Sequence, residues 1–295
     1  MNAVPRPSRD GPPHGRGLAA AFLRDLGPGG PALLDARRVA VVAAHPDDET
    51  IGMGAQLPRL AGVRVIHVTD GAPADMRDAA THGFATREDY AAARRHELEA
   101  AMAVAGIPPV RLIGLGIADQ EAASVMAGIA GRLAHLFDQG DVGLVLTHPY
   151  EGGHPDHDST SFAVQAAGAL LRRQGRRAPA LLEFTSYHAG DDGDLVTGRF
   201  PPGARTPQLD LPLDAAARAL KARLLDCHAS QQAGLVPFGR EAEHIRLAPA
   251  YDYLRSPAGG RVWYENFDWG CTAARWRELA AEAIAQLGLE APPWP

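Results

Sequence analysis

Short, wholly apolar runs recur along the chain, separated by longer stretches in which apolar positions return every three or four residues. Val39-Ala40-Val41-Val42-Ala43-Ala44 has no polar position at all, which predicts a strand buried on both faces. Val63–Val68 (with one ragged face), Val110–Ile113, Val142–Thr147 and Ala180–Phe184 repeat the pattern. Helical spacing covers Thr50–Ala61, Arg87–Ala105, Glu121–Asp138 and Asp158–Arg173. Strands and helices alternating in this order predict an α/β fold, with a parallel sheet wrapped by helices on both faces. In such sheets ligands bind beyond the carboxyl ends of the strands.

Outside that block the pattern changes. Met1 to about Gly17 is rich in Pro, Gly and Arg and has no hydrophobic period, so a flexible arm is expected. A short helix over Leu18–Leu26 should follow, ended by Gly27-Pro28-Gly29-Gly30-Pro31. Past Gly190, Pro201-Pro202-Gly203 and Pro207 mark a loop, Leu213–His228 reads as a helix, and Thr272–Leu287 as the last one. The expected organisation is an arm over 1–36, a principal domain over 37–231 and an extension over 232–295 packed on that domain. Arg94-Arg95-His96-Glu97-Leu98-Glu99, in mid-helix, reads as a solvated face with i,i+4 support.

Composition narrows the partners. With 46% hydrophobic and 22% charged residues, the 295-residue chain has the balance of an ordinary globular protein able to bury a large core. A net charge of -6 and no basic run argue against nucleic acid, whose phosphates need a basic face. Cys227 and Cys271 stand in no CxxC or CxxH spacing and suit a reducing compartment. No apolar run approaches the ~20 residues that cross a bilayer. Leu18–Leu23 is too short for a secretory signal, and a cytoplasmic location is expected. The oligomeric state is left open, a homo-oligomer included.

Two dense motifs follow directly on predicted strands. Ala44-His45-Pro46-Asp47-Asp48-Glu49 succeeds the first, and His148-Pro149-Tyr150-Glu151-Gly152-Gly153-His154-Pro155-Asp156-His157 succeeds the strand ending at Leu146-Thr147. Catalytic zinc takes three nitrogen or oxygen ligands and keeps a position open for water. His45 offers one ligand at a strand end, Asp48 returns to the same side three residues later, and His157 supplies a third from another strand end. Asp47 would then lie beside the metal, free to act as a base. His154, on the same loop as a ligand, could stabilise an oxyanion or protonate an amine as a cation, with Asp156 orienting its ring. Other divalent ions would fit such a set as well as Zn2+.

These two motifs resemble those of the PIG-L/LmbE family of metal-dependent N-deacetylases: AHPDDE at Ala44–Glu49 and HPDH at His154–His157. The segment from Lys221 to Gln231, with His228, Ser230 and Gln231, is similar to a further stretch of that family, and the helix with Arg94–Glu97 is another echo. The resemblance spans about Val39 to Gln231. It implies a Rossmann-like fold and zinc on His45, Asp48 and His157. It also implies Asp47 as general base, and His154 as the electrophilic or acid group with Asp156 behind it. The implied substrates are N-acetylglucosamine-type units, as small molecules or glycoconjugates. Some members carry an aromatic hydroxyl where this chain has Gly152, with Tyr150 nearby but displaced.

Around the motifs, Asp70, Asp119, Tyr150 and His228 are expected on the substrate side, and His67 in a structural role. Gly52-Met53-Gly54 lacks the third glycine of a dinucleotide fingerprint and reads as small residues letting a helix pack on the sheet. Trp263, Tyr264, Phe267 and Trp269 read as a small core in preference to a sugar platform. The expected activity is hydrolysis of the N-acetyl or other N-acyl amide of an amino-sugar or aminocyclitol. A non-catalytic carbohydrate-binding protein on the same scaffold is the alternative; a nucleotide-dependent oxidoreductase is disfavoured by the incomplete glycine pattern.

Overall fold

The computed structural model describes residues 15–257 and 260–294, so residues 1–14 of the arm expected at the N-terminus lie outside the described residues. Helix α1 (Arg16–Leu26) leads to β1 (Leu34–Asp35), β2 (Val39–Ala43), α2 (Asp48–Met53), β3 (Leu60–Ala61), β4 (Arg64–Pro73), α3 (Arg77–Thr81) and α4 (Arg87–Val104). Then come β5 (Leu112–Asp119), α5 (Met126–Gln139), β6 (Leu144–Thr147), α6 (Pro155–Arg173), β7 (Ala180–Phe184), β8 (Tyr187–Ala189) and β9 (Leu195–Thr197). The chain continues through β10 (Gln208–Pro212), α7 (Ala215–Asp226), α8 (Gln232–Leu235), β11 (Ala242–Leu247) and α9 (Ala273–Leu287).

A seven-stranded sheet in the order β10-β11-β7-β6-β2-β4-β5 forms the centre. Strands β7, β6, β2, β4 and β5 run parallel, and β11 is antiparallel to both its neighbours. This is the mostly parallel, Rossmann-like arrangement expected. Strand β2 shows how the sequence imposes it. Val39 and Val41 join a core with Phe22 and Leu26 of α1 and Leu98 and Met102 of α4. Ala40 and Val42 join a second core with Leu133 and Phe137 of α5, Phe162 of α6 and Trp276 of α9. Successive side chains of a strand point to opposite faces. An uninterrupted apolar run therefore requires helices on both.

Several boundaries differ from the expectation. The helix expected over Thr50–Ala61 stops at Met53, and Leu57–Arg59 forms a 3₁₀ turn with Pro58 inside it. Pro109–Arg111 is also a 3₁₀ turn, so the strand expected from Val110 begins at Leu112 and runs on to Asp119. The helix expected from Glu121 opens with a 3₁₀ segment, Ala122–Val125. Helix α6 starts at Pro155, ahead of Asp158, because His154 caps it and proline suits a first helical turn.

The β8–β9 hairpin, β10 and β11 had no counterpart in the hydrophobic pattern. In β11 the obstacle is charge, since Glu243 and Arg246 interrupt it, yet both are buried and paired. Arg246 donates to Glu183 at 2.9 Å and Glu243 accepts from Lys221 at 3.0 Å. The C-terminal residues thus give the sheet β11 and one face α9.

Gly52 meets its expected role. A methyl built there would overlap the Phe184 ring, so α2 lies against β7 only because that position lacks a side chain. Gly52→Ala should destabilise the fold by about 1–3 kcal/mol, the usual cost of overpacking, although alanine is otherwise the better helix former. Denaturant unfolding measures this.

Candidate functional site

Strands β2 and β6 are parallel neighbours, and the chain leaves them toward opposite sides, to β4 from one and to β7 from the other. The loops beyond such a pair diverge and leave a crevice. Both His/Asp motifs open into it.

Asp48, the first residue of α2, turns back on the strand end. Its Oδ2 accepts the His45 backbone N–H at 2.7 Å and lies 3.2 Å from His45 Nδ1. Its Oδ1 lies 3.2 Å from His157 Nε2, which is itself 3.2 Å from His45 Nδ1. The other ring nitrogens have partners elsewhere. His45 Nε2 faces Asp119 Oδ1 at 3.0 Å and Asp156 Oδ2 at 3.3 Å, and His157 Nδ1 faces Ser186 Oγ at 3.4 Å. With protons on those outer nitrogens, two imidazole lone pairs and a carboxylate point at one another. That is a set of donors in want of a cation. Burial lowers the affinity of His45 for a proton, yet the carboxylates of Asp119, Asp156 and Asp48 raise its pKa well above the ordinary value. The surroundings call for positive charge at this point. The residues therefore fit a divalent metal, and two nitrogens with one oxygen suit zinc and its transition-metal neighbours.

The site is braced from behind by two further histidines, of which the sequence left His148 without a role. His148 stacks on His157 with ring centroids 4.1 Å apart and takes the Ala44 N–H on Nε2 at 3.0 Å. His67, structural as expected, lies 2.8 Å from the buried Glu49.

Asp47 adopts a φ of 137°, a backbone conformation that costs of order 1–3 kcal/mol outside glycine. Arg94 clamps it there. The guanidinium donates to Asp47 Oδ2 at 3.2 Å, to Pro46 O at 2.8 Å and to Gly71 O at 2.8 Å. Gly71, at φ 69°, leaves room for it, since a methyl there would come within 2.7 Å of the guanidinium carbon. Arg94 is thus buried, against the solvated face expected for its helix. A run of charges gives no sign of which one turns inward. Burial pushes the Asp47 carboxyl up to about 8, with Arg94 opposing and the charge of Asp48 adding to the rise.

His154 accepts the Asp156 backbone N–H on Nδ1 at 3.1 Å, which leaves its proton on Nε2, 3.8 Å from Asp119 Oδ1. Burial, reinforced by His45, pushes its pKa well below the ordinary value. It is therefore a neutral N–H donor, where a cation was expected. Asp156 differs from expectation as well. Its carboxylate lies 4.0 Å from His154 Nδ1, while it accepts from Gln120 N at 2.6 Å and Ala122 N at 3.1 Å and faces His45. It orients His45 in place of His154. Asp119 bridges the two rings.

Of the four substrate-side candidates, Asp119 lines the cavity of about 310 Å³ above these residues. The others do not. Asp70 is tied to Arg87 at 2.6 Å, the Tyr150 hydroxyl donates to Arg255 O at 2.8 Å, and His228 is wholly buried. Arg94, Tyr187, Phe238 and Trp269 line the cavity unforeseen, and Gln231, from the segment that echoes the family, lines it as well. Tyr187 follows a parallel strand end, a position that carries a signal; Trp269 came from the aromatic group read as core, of which Tyr264 is indeed buried.

The class of site is therefore a His/Asp arrangement that could hold a metal ion, at the switch point of a doubly wound sheet. Residues 40–168 match the family model for PIG-L, GlcNAc-PI de-N-acetylase. The chain is 29% identical over 143 residues to the probable N-acetyl-alpha-D-glucosaminyl L-malate deacetylase 2 of Bacillus cereus, covering 48% of this chain and 64% of the relative. It is 31% identical over 168 residues to a 1D-myo-inositol 2-acetamido-2-deoxy-alpha-D-glucopyranoside deacetylase of a Mycobacterium species, covering 49% and 54%. The chain thus spans between about half and two thirds of the length of these curated relatives. Its fold is similar to that of the crystal structure of the A40926 pseudoaglycone deacetylase, with a TM-score of 0.54 at 22% identity, covering 72% of this chain and 97% of that one.

The donor set gives a direct expectation. Purified protein should hold about one divalent transition-metal ion per chain, and His157→Ala should lose it, as read by elemental analysis. Equal metal content in the two proteins would rule out this trio as the ligands.

Proposed function

We propose that this site hydrolyses the N-acetyl or other N-acyl amide of an amino-sugar or aminocyclitol, free or in a glycoconjugate, with zinc on His45, Asp48 and His157. The observation that carries the reading is the meeting of those three donor atoms beside Asp47, a carboxylate held in a strained conformation at the cavity floor. The deacetylase names of the two relatives support the same chemistry. When bound, the metal supplies Lewis acidity to water and to the amide carbonyl.

The chain's own residues do the rest. Asp47 takes the proton of the attacking water, and Arg94 keeps its carboxylate aimed. Asp156 fixes the ring of His45, so that its Nδ1 faces the ligand trio. The neutral His154 presents Nε2–H to the carbonyl oxygen as charge develops there. Tyr187 gives the cavity a hydroxyl; burial, and then the charge of Asp48, push its pKa well above the ordinary value and keep it protonated. The proton collected by Asp47 leaves on the amine.

We place the reaction in the cytoplasm. Both cysteines are free, which suits a reducing compartment, and no described helix is long and apolar enough to cross a membrane.

Amine release from N-acetylglucosamine and its glycosides tests the proposal. Asp47→Asn should lower kcat by at least about 10²-fold with its metal retained; full activity in that variant would refute the base assignment. Tyr187→Phe should lower kcat by up to about 10²-fold with little change in KM. A rise in KM alone would make the hydroxyl a binding group. No amine release from any such compound by the metal-loaded protein would overturn the proposal.

A further inference from the structure

Tyr187 stands at the start of β8, beyond the residues matched by the family model. One peptide group joins it to Ser186, whose Oγ lies 3.4 Å from Nδ1 of His157. A hydroxyl facing a proposed metal ligand and a phenol lining the cavity thus share a single planar peptide unit. Whatever holds that unit sets both.

Glu151 holds it. Its Oε1 accepts the Tyr187 N–H at 3.1 Å, across 36 residues of chain. The carboxyl is buried, and its Oε2 lies 3.4 Å from Nδ1 of the buried His188. Neither of those two atoms has a partner elsewhere among the described residues. The backbone of Glu151 is fixed in turn by Asp158, the residue after His157 on α6. Asp158 Oδ1 accepts the N–H groups of Glu151 at 3.1 Å and of Gly152 at 3.0 Å. Gly153 lies against the same segment, since a methyl built there would overlap Tyr187 O. Contacts therefore run without a break from the helix of His157 to Tyr187, and the Glu151 carboxyl is the link across the two loops.

Burying a carboxyl costs free energy that an apolar side chain of similar size would not. Burial raises the pKa of Glu151 well above the ordinary value, with Arg246 opposing, and lowers that of His188. Both groups are therefore neutral. As a carboxylic acid, Glu151 turns its carbonyl oxygen to the Tyr187 N–H and its hydroxyl to His188 Nδ1. One acceptor and one donor in that order are what a glutamine amide also offers.

We propose that Glu151 is a positioning residue for the amide hydrolysis: by holding the peptide between Ser186 and Tyr187, it aims the Ser186 hydroxyl at His157 and the Tyr187 phenol at the cavity. The inference rests on the hydrolase reading above.

The test uses the full chain, read by zinc affinity in competition with a chromophoric chelator and by kcat and KM for amine release from N-acetylglucosamine. Glu151→Leu should weaken zinc by about 10–100-fold. It should also lower kcat about as far as Tyr187→Phe does, with little change in KM. Ser186→Ala should reproduce the loss of zinc, and Tyr187→Phe should leave zinc affinity as it was. Glu151→Gln should restore both properties, and adding Tyr187→Phe to Glu151→Leu should cost little further. Wild-type zinc affinity and kcat in Glu151→Leu would overturn the inference. So would a Glu151→Gln enzyme as impaired as Glu151→Leu, because the site would then require a charged carboxylate. Should Glu151→Leu not fold, Glu151→Asp, one methylene shorter, takes its place with the same expected directions. Should the wild type release no amine from any compound, the hydrolase reading fails, and crystal structures of wild type and variant decide the positioning by themselves. A shift of the Ser186 and Tyr187 side chains by about 1 Å supports it, a displacement that costs about 10²-fold where groups must align. Unmoved side chains overturn it.

Discussion

The buried pair of Lys221 and Glu243, 3.0 Å apart, fixes the far end of the helix that carries Asp48. Lys221 Nζ donates to Ile51 O at 2.7 Å, and Glu243 accepts the Ala55 N–H at 2.9 Å. Helix α2 is only six residues long, well short of the ~12–15 at which an isolated helix becomes even marginally stable. It stands because α7 and β11 hold its last turn, Phe184 lies against Gly52, and Asp48 is fastened to the His45 N–H at its start. A proposed metal ligand on so short an element takes its position from distant parts of the chain.

The same economy runs through the site. Arg94 holds Asp47, and Arg246 holds Glu183, each ion pair buried. Such pairs add little net stability, because desolvation offsets most of the attraction. Their effect is geometric: a buried charge left without its partner costs several kcal/mol, so conformations that separate the two are disfavoured. Asp47 can therefore be kept at a φ of 137° that an aspartate would not adopt unaided. The strain lies where the proposed chemistry needs a carboxylate aimed at one point.

Around this floor the division of labour follows the chain. Residues before about 170 supply the His/Asp floor together with Ile51, and residues after about 185 supply Tyr187, Gln231, Leu235, Phe238 and Trp269. The first group is confined by the demands of a cation.

The sequence by itself determined the parallel sheet, because a run such as Val39–Ala44 has no face to offer water and must be covered on both sides. It also determined the proximity of His45, Asp48 and His157, since both motifs follow strands of one parallel sheet and strand ends on one edge converge. It did not determine the orientation of side chains that depend on distant partners. Asp156 turns to His45 because Gln120 and Ala122 offer N–H groups there, and Asp70 leaves the site because Arg87 pairs with it. Arg94 reads as a surface charge until Asp47 is brought to it across 47 residues, and Glu243 has no reading at all until Lys221, 22 residues away, is placed beside it. Hydrophobic periodicity records which face of an element is buried. Which buried polar group meets which is settled only when the sheet closes and each must find a partner away from water.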